Sequence, residues 1–209
     1  MTHRLEYTFY KDYSYSEIFN NIFDKRKQNI LLNNNNQYKN CEDELNLIEE
    51  YFVEIFSWTV LPKDLLITIN KILESYINNY ILIDPCSGNS FHTFLFHEFC
   101  KKDVITIDIQ REKDAWIKTI ECDGLDFLKN NIIDFSDKVL LLSWIDYDEL
   151  TTNLLKNFKG DIILSFGNYD KSNSKNYLNE LNKNYNLIQH YILIMPWGSK
   201  EHIKIFKKK

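Results

Sequence analysis

A chain of 209 residues, 44% of them hydrophobic, suits one compact domain with a sizeable core. A net charge of −5 and a pI of about 5.6 exclude a global pull toward nucleic acid or an anionic membrane. The basic tail "KIFKKK" is a candidate local patch, or simply a solvated terminus.

Four cysteines, Cys41, Cys86, Cys100 and Cys122, form no Cys-x-x-Cys pair and no cluster with histidine. Neither a metal site nor a disulfide framework is expected, and the chain reads as a reduced, intracellular, cytoplasmic protein. The first residues, "MTHRLEYTFYKDYSYSEIF", lack the apolar region of a secretory signal, and no run approaches the roughly 20 apolar residues of a membrane span. The bias toward Asn, Lys and Ile is that of an AT-rich genome, as in protists and large DNA viruses; a viral protein would sit in the host cytoplasm.

In chain order, "SEIFNNIFDKRK" spaces Ile18, Phe19, Ile22 and Phe23 on one helix face. "QNILLNNNNQYKNC" is polar and aperiodic, which predicts a flexible loop and sets off residues 1–41 as a helical and flexible extension. The α/β domain then covers 42–209. It opens with a helix over "CEDELNLIEEYFVEIFSW", whose acidic start suits a helix N-terminus, and a second helix opened by Pro62. From residue 80 the pattern alternates. Strands are expected at "YILID", "DVITIDI", "AWIKTIEC", "KVLLLSW" and "DIILSFG", with helices at "NSFHTFLFHEFCKK", "GLDFLKNN", "YDELTTNLLKNFK" and "SKNYLNELNKNY". "LIQHYILIMP" and "EHIKIFK" flank "WGSK" as an antiparallel hairpin. The expectation is a mostly parallel, seven-stranded sheet with helices on both faces and a C-terminal antiparallel hairpin.

In such a sheet, ligands bind beyond the carboxyl ends of the central strands. After the first strand come Asp84, Ser87 and Gly88: an acid at the pocket floor and a glycine that lets a ligand approach the backbone, or else a Pro-kinked turn with Ser87 or Asn89 as helix cap. After the second strand comes Asp108, whose two oxygens suit the paired hydroxyls of a ribose. After the third comes Asp123, which either accepts from an exocyclic amine or caps the next helix. After the fourth come Ser143, Trp144, Asp146, Tyr147 and Asp148. There an aromatic face beside carboxylates can hold a planar base, unless Trp144 fills the core and Asp148 is a cap.

The order "FSWTVLP…ILIDPCSGNSFHTFLF…VITIDIQ…AWIKTIECDG…LLLSWIDYDE…FKGDIILSFGNYD…LIMPWGSKEHIKIFKK" resembles the class I S-adenosylmethionine-dependent methyltransferase fold. It is similar to a group of predicted methyltransferases from fungi, protists and viruses, over roughly residues 50 to 209. The resemblance implies a Rossmann-like domain that binds S-adenosyl-L-methionine, with Asp84, Ser87 and Gly88 on the methionine side, Asp108 on the ribose and Asp123 on the adenine. It implies a substrate-facing segment from Ser143 to Tyr147. Two departures stand out. The first loop has one glycine where the family has a Gly-x-Gly, and Ile145-Asp146 replace the Pro-Pro of amine-methylating members.

Three functions follow as expectations. The first is methyl transfer to a planar acceptor such as a nucleobase or RNA. Asp146 or Asp148 would serve as base, Tyr147 or Trp144 would hold the acceptor, and no metal is needed. The second is a catalytically inactive module that grips an RNA 5′ end or cap through Trp58, Trp144 and Asp146. The third is an interaction protein that docks a partner through its aromatic N-terminal segment.

Overall fold

The computed structural model describes residues 53, 56–59, 61–113, 115–130, 133–145, 148–167, 175–195 and 199–209. The expectations on residues 1–41, on most of the helix that follows them, on the hairpin tip at Gly198 and on Asp146 and Tyr147 lie outside these residues; the end of that expected helix, residues 56–58, is turn and bend instead.

Helix α1 (Lys63–Tyr76) starts directly after Pro62, whose fixed φ of −60° sits at the cap position and whose carbonyl accepts from the Leu66 amide at 2.9 Å. It buries Leu65, Leu66, Ile69 and Leu73, one stripe of the helical repeat. The chain then alternates: β1 (Ile81–Asp84), α2 (Phe91–Cys100), β2 (Val104–Asp108), β3 (Ile120–Glu121), α3 (Gly124–Asn130), β4 (Lys138–Ser143), α4 (Asp148–Asn157), β5 (Ile162–Gly167), α5 (Lys175–Asn184), β6 (Tyr185–Ile194) and β7 (Lys200–Lys208).

The strands form one seven-stranded sheet in the order β3-β2-β1-β4-β5-β7-β6. The first five are parallel; β7 inserts antiparallel between β5 and β6, with Leu164 opposite Ile205 and Tyr191 opposite Ile203. The expected parallel sheet and closing hairpin are thus both present.

Strands β4 and β5 are buried on both faces, and their side chains divide by parity between two cores. Val139, Leu141, Ile162, Leu164 and Phe166 face α1 and α2, with Phe56, Leu61, Ile203 and Ile205. Leu140, Leu142 and Ile163 face α3, α4 and α5, with Leu154, Leu155, Tyr177 and Leu181. The result is three layers around one sheet.

The third strand is shorter than the alternation of "AWIKTIEC" suggests. Only Ile120 and Glu121 pair with β2. Trp116 is taken up elsewhere: its ring lies 4.9 Å from Phe94, 5.2 Å from Phe91 and 5.8 Å from Phe56, and its amide donates to the Asn89 carbonyl. Aromatic packing on α2 outweighs two or three ladder hydrogen bonds at a sheet edge.

Among the described residues, no helix is long and apolar enough to cross a membrane, and no group of three or more His, Cys, Asp or Glu side chains could hold a metal ion.

Candidate cofactor and acceptor site

Strand order reverses between β1 and β4, so the connections leaving their carboxyl ends diverge to opposite faces and open a crevice between them. The loop after β1 forms one wall. Gly88 has φ +50°, and the Ser90 backbone is also left-handed at +63°. These two reversals, on either side of Asn89, lift the backbone away from the strand and into α2, and only glycine takes the first without steric cost. A Cβ on Gly88 would meet nothing nearer than Glu112 Oε1 at 3.7 Å, so the space above the loop is open.

Hydrogen bonds fix this loop to its neighbours. The Gly88 amide donates to Asp108 Oδ2 at 2.8 Å, and the Ser87 amide donates to the Ile107 carbonyl at 2.9 Å. Asp108 Oδ1 accepts from the Gln110 amide at 3.1 Å. Ser90 Oγ bonds to Ser87 Oγ and Thr119 Oγ1. Asn89 joins three segments: its Oδ1 accepts from the Phe91 amide, its Nδ2 donates to the Phe56 carbonyl, and its own carbonyl takes the Trp116 amide.

The loop after β3 closes against the same wall. A Cβ on Gly124 would lie 2.0 Å from the Pro85 carbonyl oxygen, so glycine is required there by close packing rather than by φ. Asp123 Oδ1 accepts from the Asp126 amide at 2.9 Å and caps α3.

Asp84 is 2% exposed. Its Oδ2 accepts from the Thr93 hydroxyl at 2.9 Å, while Oδ1 is buried with no partner. Burial, reinforced by Asp108 and partly offset by Thr93 and the Cys86 amide, pushes its carboxyl up to about 7. The Cys86 thiol is pushed up to about 12, first by burial and then by Asp84, Asp108 and Asp123.

A second group of residues joins the end of β4 to residues 57–59. Trp144 has φ +53°, a conformation a bulky residue holds only when its surroundings impose it. Its Nε1–H donates to Thr59 Oγ1 at 2.7 Å, and its amide donates to the Phe166 carbonyl. The exposed ring of Trp58 lies against it, with centroids 5.2 Å apart and planes 30° from parallel.

Beneath them His92 is almost fully buried. Nε2 is 2.7 Å from the Thr59 carbonyl, Nδ1 is 2.9 Å from Ser143 Oγ, and Ser57 Oγ lies 3.1 Å from Nε2 and 3.4 Å from Nδ1. Phe166 meets the imidazole edge-on at 4.7 Å. Burial holds the ring down at about 4, against a smaller opposing effect of the Thr59 carbonyl, so it is neutral at ordinary pH.

The loops that carry Asp84, Ser87, Gly88, Asp108 and Asp123 are thus joined to one another, and Trp58 and Trp144, next to Ser143, form a second group. Asp148 is turned away: its Oδ1 and Oδ2 accept from the Tyr177 and Asn176 amides at 2.9 and 3.3 Å, at the start of α5. Sequence reasoning assigned no role to His92 or Thr59, whereas Asn89, one of its two candidate helix caps, does accept from the Phe91 amide at the start of α2. A histidine inside the apolar run "SFHTFLF" was a usable signal for the first. Nothing local marks Thr59, which meets His92 across 33 positions.

No protein-family model matches the chain, and no curated protein matches it in sequence. In three dimensions it is similar to TrmN from Thermus thermophilus, with a TM-score of 0.54 at 10% identity over 78% of this chain and 53% of that one. The chain thus spans about half the length of that protein. Weaker likenesses are to a Burkholderia thailandensis 1,6-didemethyltoxoflavin-N1-methyltransferase solved with 1,6-didemethyltoxoflavin and S-adenosylhomocysteine (TM-score 0.49, 9% identity, 84% of this chain and 93% of that one). Another is the B. subtilis M1A22 tRNA methyltransferase TrmK (TM-score 0.49, 17% identity, 67% and 65%). With its strand order and reversed seventh strand, the chain has the Rossmann-like fold of class I S-adenosylmethionine-dependent methyltransferases.

Proposed function

We propose that the protein is an S-adenosylmethionine-dependent methyltransferase acting on a planar, nucleobase-like acceptor. The observation that carries this reading is the pairing of Asp108 with the Gly88 amide beside a buried Asp84 that keeps one oxygen unpartnered.

These residues fit the cofactor. Asp108 spends one lone pair of each oxygen on a loop amide, which leaves the others for ribose hydroxyls. Ile109, 72% exposed and next in the chain, offers an apolar face of the kind a purine covers. Asp84 lacks a donor for Oδ1, and an ammonium, directly or through a water, would supply one and favour its ionised form. The open space above Gly88 admits a ligand against the backbone.

When bound, the cofactor supplies an electrophilic methyl group on a sulfonium. The protein's task is alignment: to hold the acceptor's nucleophilic atom in line with the carbon–sulfur bond. In this reading Trp144 and Trp58 carry the acceptor's ring and Ser143 meets its polar edge. Asp146 takes the proton as base and Tyr147 helps hold the ring. Asp148 is the weaker candidate base, because both of its oxygens already serve the start of α5.

The alternative, an inactive cap-binding module, has less support. A base slotted between two rings needs about 7 Å of separation, twice the contact distance of about 3.5 Å. Trp58 and Trp144 are 5.2 Å apart, too close to take a base between them.

The test is transfer of tritium from methyl-labelled S-adenosylmethionine to nucleosides and to total RNA. Incorporation by the wild type that disappears in Asp108→Ala supports the reading. Absence of transfer to both classes argues against a nucleobase acceptor.

A further inference from the structure

The polarity of one buried hydrogen-bond chain can be read from its geometry. The Thr59 carbonyl oxygen can only accept, and it lies 2.7 Å from His92 Nε2. A bare Nε2 there would oppose two lone pairs at hydrogen-bond distance, so Nε2 carries the proton. Ser57 Oγ, 3.1 Å from Nε2 and 3.4 Å from Nδ1, lies well off the in-plane axis of either nitrogen and does not decide the tautomer. Nδ1 of the neutral ring must be an acceptor. The nearest hydroxyl is Ser143 Oγ at 2.9 Å, against 3.4 Å for Ser57. The Ser143 hydroxyl therefore points its hydrogen inward, at the histidine.

Ser143 is half-buried at the carboxyl end of β4, next to Trp144. With its only hydrogen committed, what it turns toward the crevice is lone pairs. We infer that His92 is a positioning residue that fixes Ser143 as an acceptor, so the site selects a planar ring whose polar edge carries an N–H donor, an exocyclic amine being the simplest case. A carbonyl edge would set lone pair against lone pair, and correcting that would leave Nδ1 unpaired in a buried site. The inference rests on the methyltransferase reading for what occupies the crevice, but the tautomer stands apart from it.

Two measurements test it. Nitrogen-15 spectra of the full chain, with His92 assigned by its loss in His92→Asn, should show the neutral Nε2–H form from pH 5 to 8. Ser143→Ala should move the Nδ1 resonance without changing the tautomer. An Nδ1–H form overturns the inference outright. In the second, protein saturated with S-adenosylhomocysteine is titrated with adenine and with N6,N6-dimethyladenine, which lacks the amine donor. The expected preference is about tenfold for adenine, falling to near parity in Ser143→Ala. Equal affinity for both bases, no binding of either, or a preference that survives in Ser143→Ala overturns the donor-selecting role. Failure of S-adenosylhomocysteine itself to bind sinks the methyltransferase reading and leaves the tautomer result in place.

Discussion

The Gly88 amide donates to Asp108 Oδ2 at 2.8 Å, joining the loop after β1 to the end of β2 through one charge-assisted bond. The bond spans 20 positions and holds a left-handed glycine at φ +50° next to the acid that follows the second strand. Asp108 thus shapes the loop and presents oxygen to whatever lies on it.

The two roles of Asp108 can be separated. Asp108→Asn keeps a carbonyl oxygen for the Gly88 amide and should leave the loop in place, yet it loses charge and acceptor capacity toward a ribose. Asp108→Ala loses both. Affinity for S-adenosylhomocysteine should fall by about 10- to 150-fold in Asp108→Ala, the equivalent of about 1.5–3 kcal/mol for hydrogen bonds to a charged group. Asn should fall between. Equal affinity in all three folded proteins would remove Asp108 from the site.

Gly124→Ala probes the contact between the loops after β1 and β3. The new methyl would overlap the Pro85 carbonyl, a backbone atom that cannot turn aside. A loss of about 3 kcal/mol is expected, which lowers Tm by about 6–12 °C in a chain of this size. Calorimetric melting checks it; an unchanged Tm would mean the two loops do not pack as described.

The sheet was legible because burial on both faces leaves a simple trace. "KVLLLS" and "IILSFG" have no polar alternation, and the structure divides each by parity between two cores. Asp84 and Asp108 were legible because strand ends repeat at the spacing of one strand–helix–strand unit. The rest depended on contacts that cross the chain. The alternation of residues 115–122 suggested a full strand, but Trp116 is drawn into an aromatic cluster with Phe56, Phe91 and Phe94. Asp148 caps α5 from 28 and 29 positions away. His92 takes its meaning from Thr59 and Ser143, distant in sequence on either side.

Asp84 and His92 give opposite pH dependences. The carboxyl of Asp84 is raised from 3.8 to about 7, so between those values the folded chain holds a proton that the unfolded chain has lost. Its contribution to stability falls as pH rises through that window. His92 is lowered from 6.5 to about 4, so there the unfolded chain holds the extra proton and stability rises with pH. Between about 4 and 6.5 the two slopes oppose, each at most about 1.4 kcal/mol per pH unit. Denaturant unfolding at a series of pH values should show a rising profile in Asp84→Asn and a falling one in His92→Asn. Wild-type profiles in both variants would contradict the assigned burial.

Trp144 offers a test of strain. Alanine ordinarily exceeds glycine in stability, but at φ +53° the order should reverse. Trp144→Gly should be more stable than Trp144→Ala by about 1 kcal/mol, because only glycine adopts that conformation freely. Both should lose the base-binding platform and keep affinity for S-adenosylhomocysteine. A Trp144→Ala protein that is the more stable of the two would show that the backbone leaves the left-handed conformation once the indole and its bond to Thr59 are gone.

The central claim is that the crevice between β1 and β4 takes S-adenosylmethionine, and titration calorimetry of the purified chain with S-adenosylmethionine and S-adenosylhomocysteine tests it most directly. The account predicts one site per chain for both compounds, weakened in Asp108→Ala and dependent on the state of Asp84, so that binding in buffers of different ionisation enthalpy reports proton release near pH 7. No heat from either compound, or binding that Asp108→Ala leaves untouched, would contradict it.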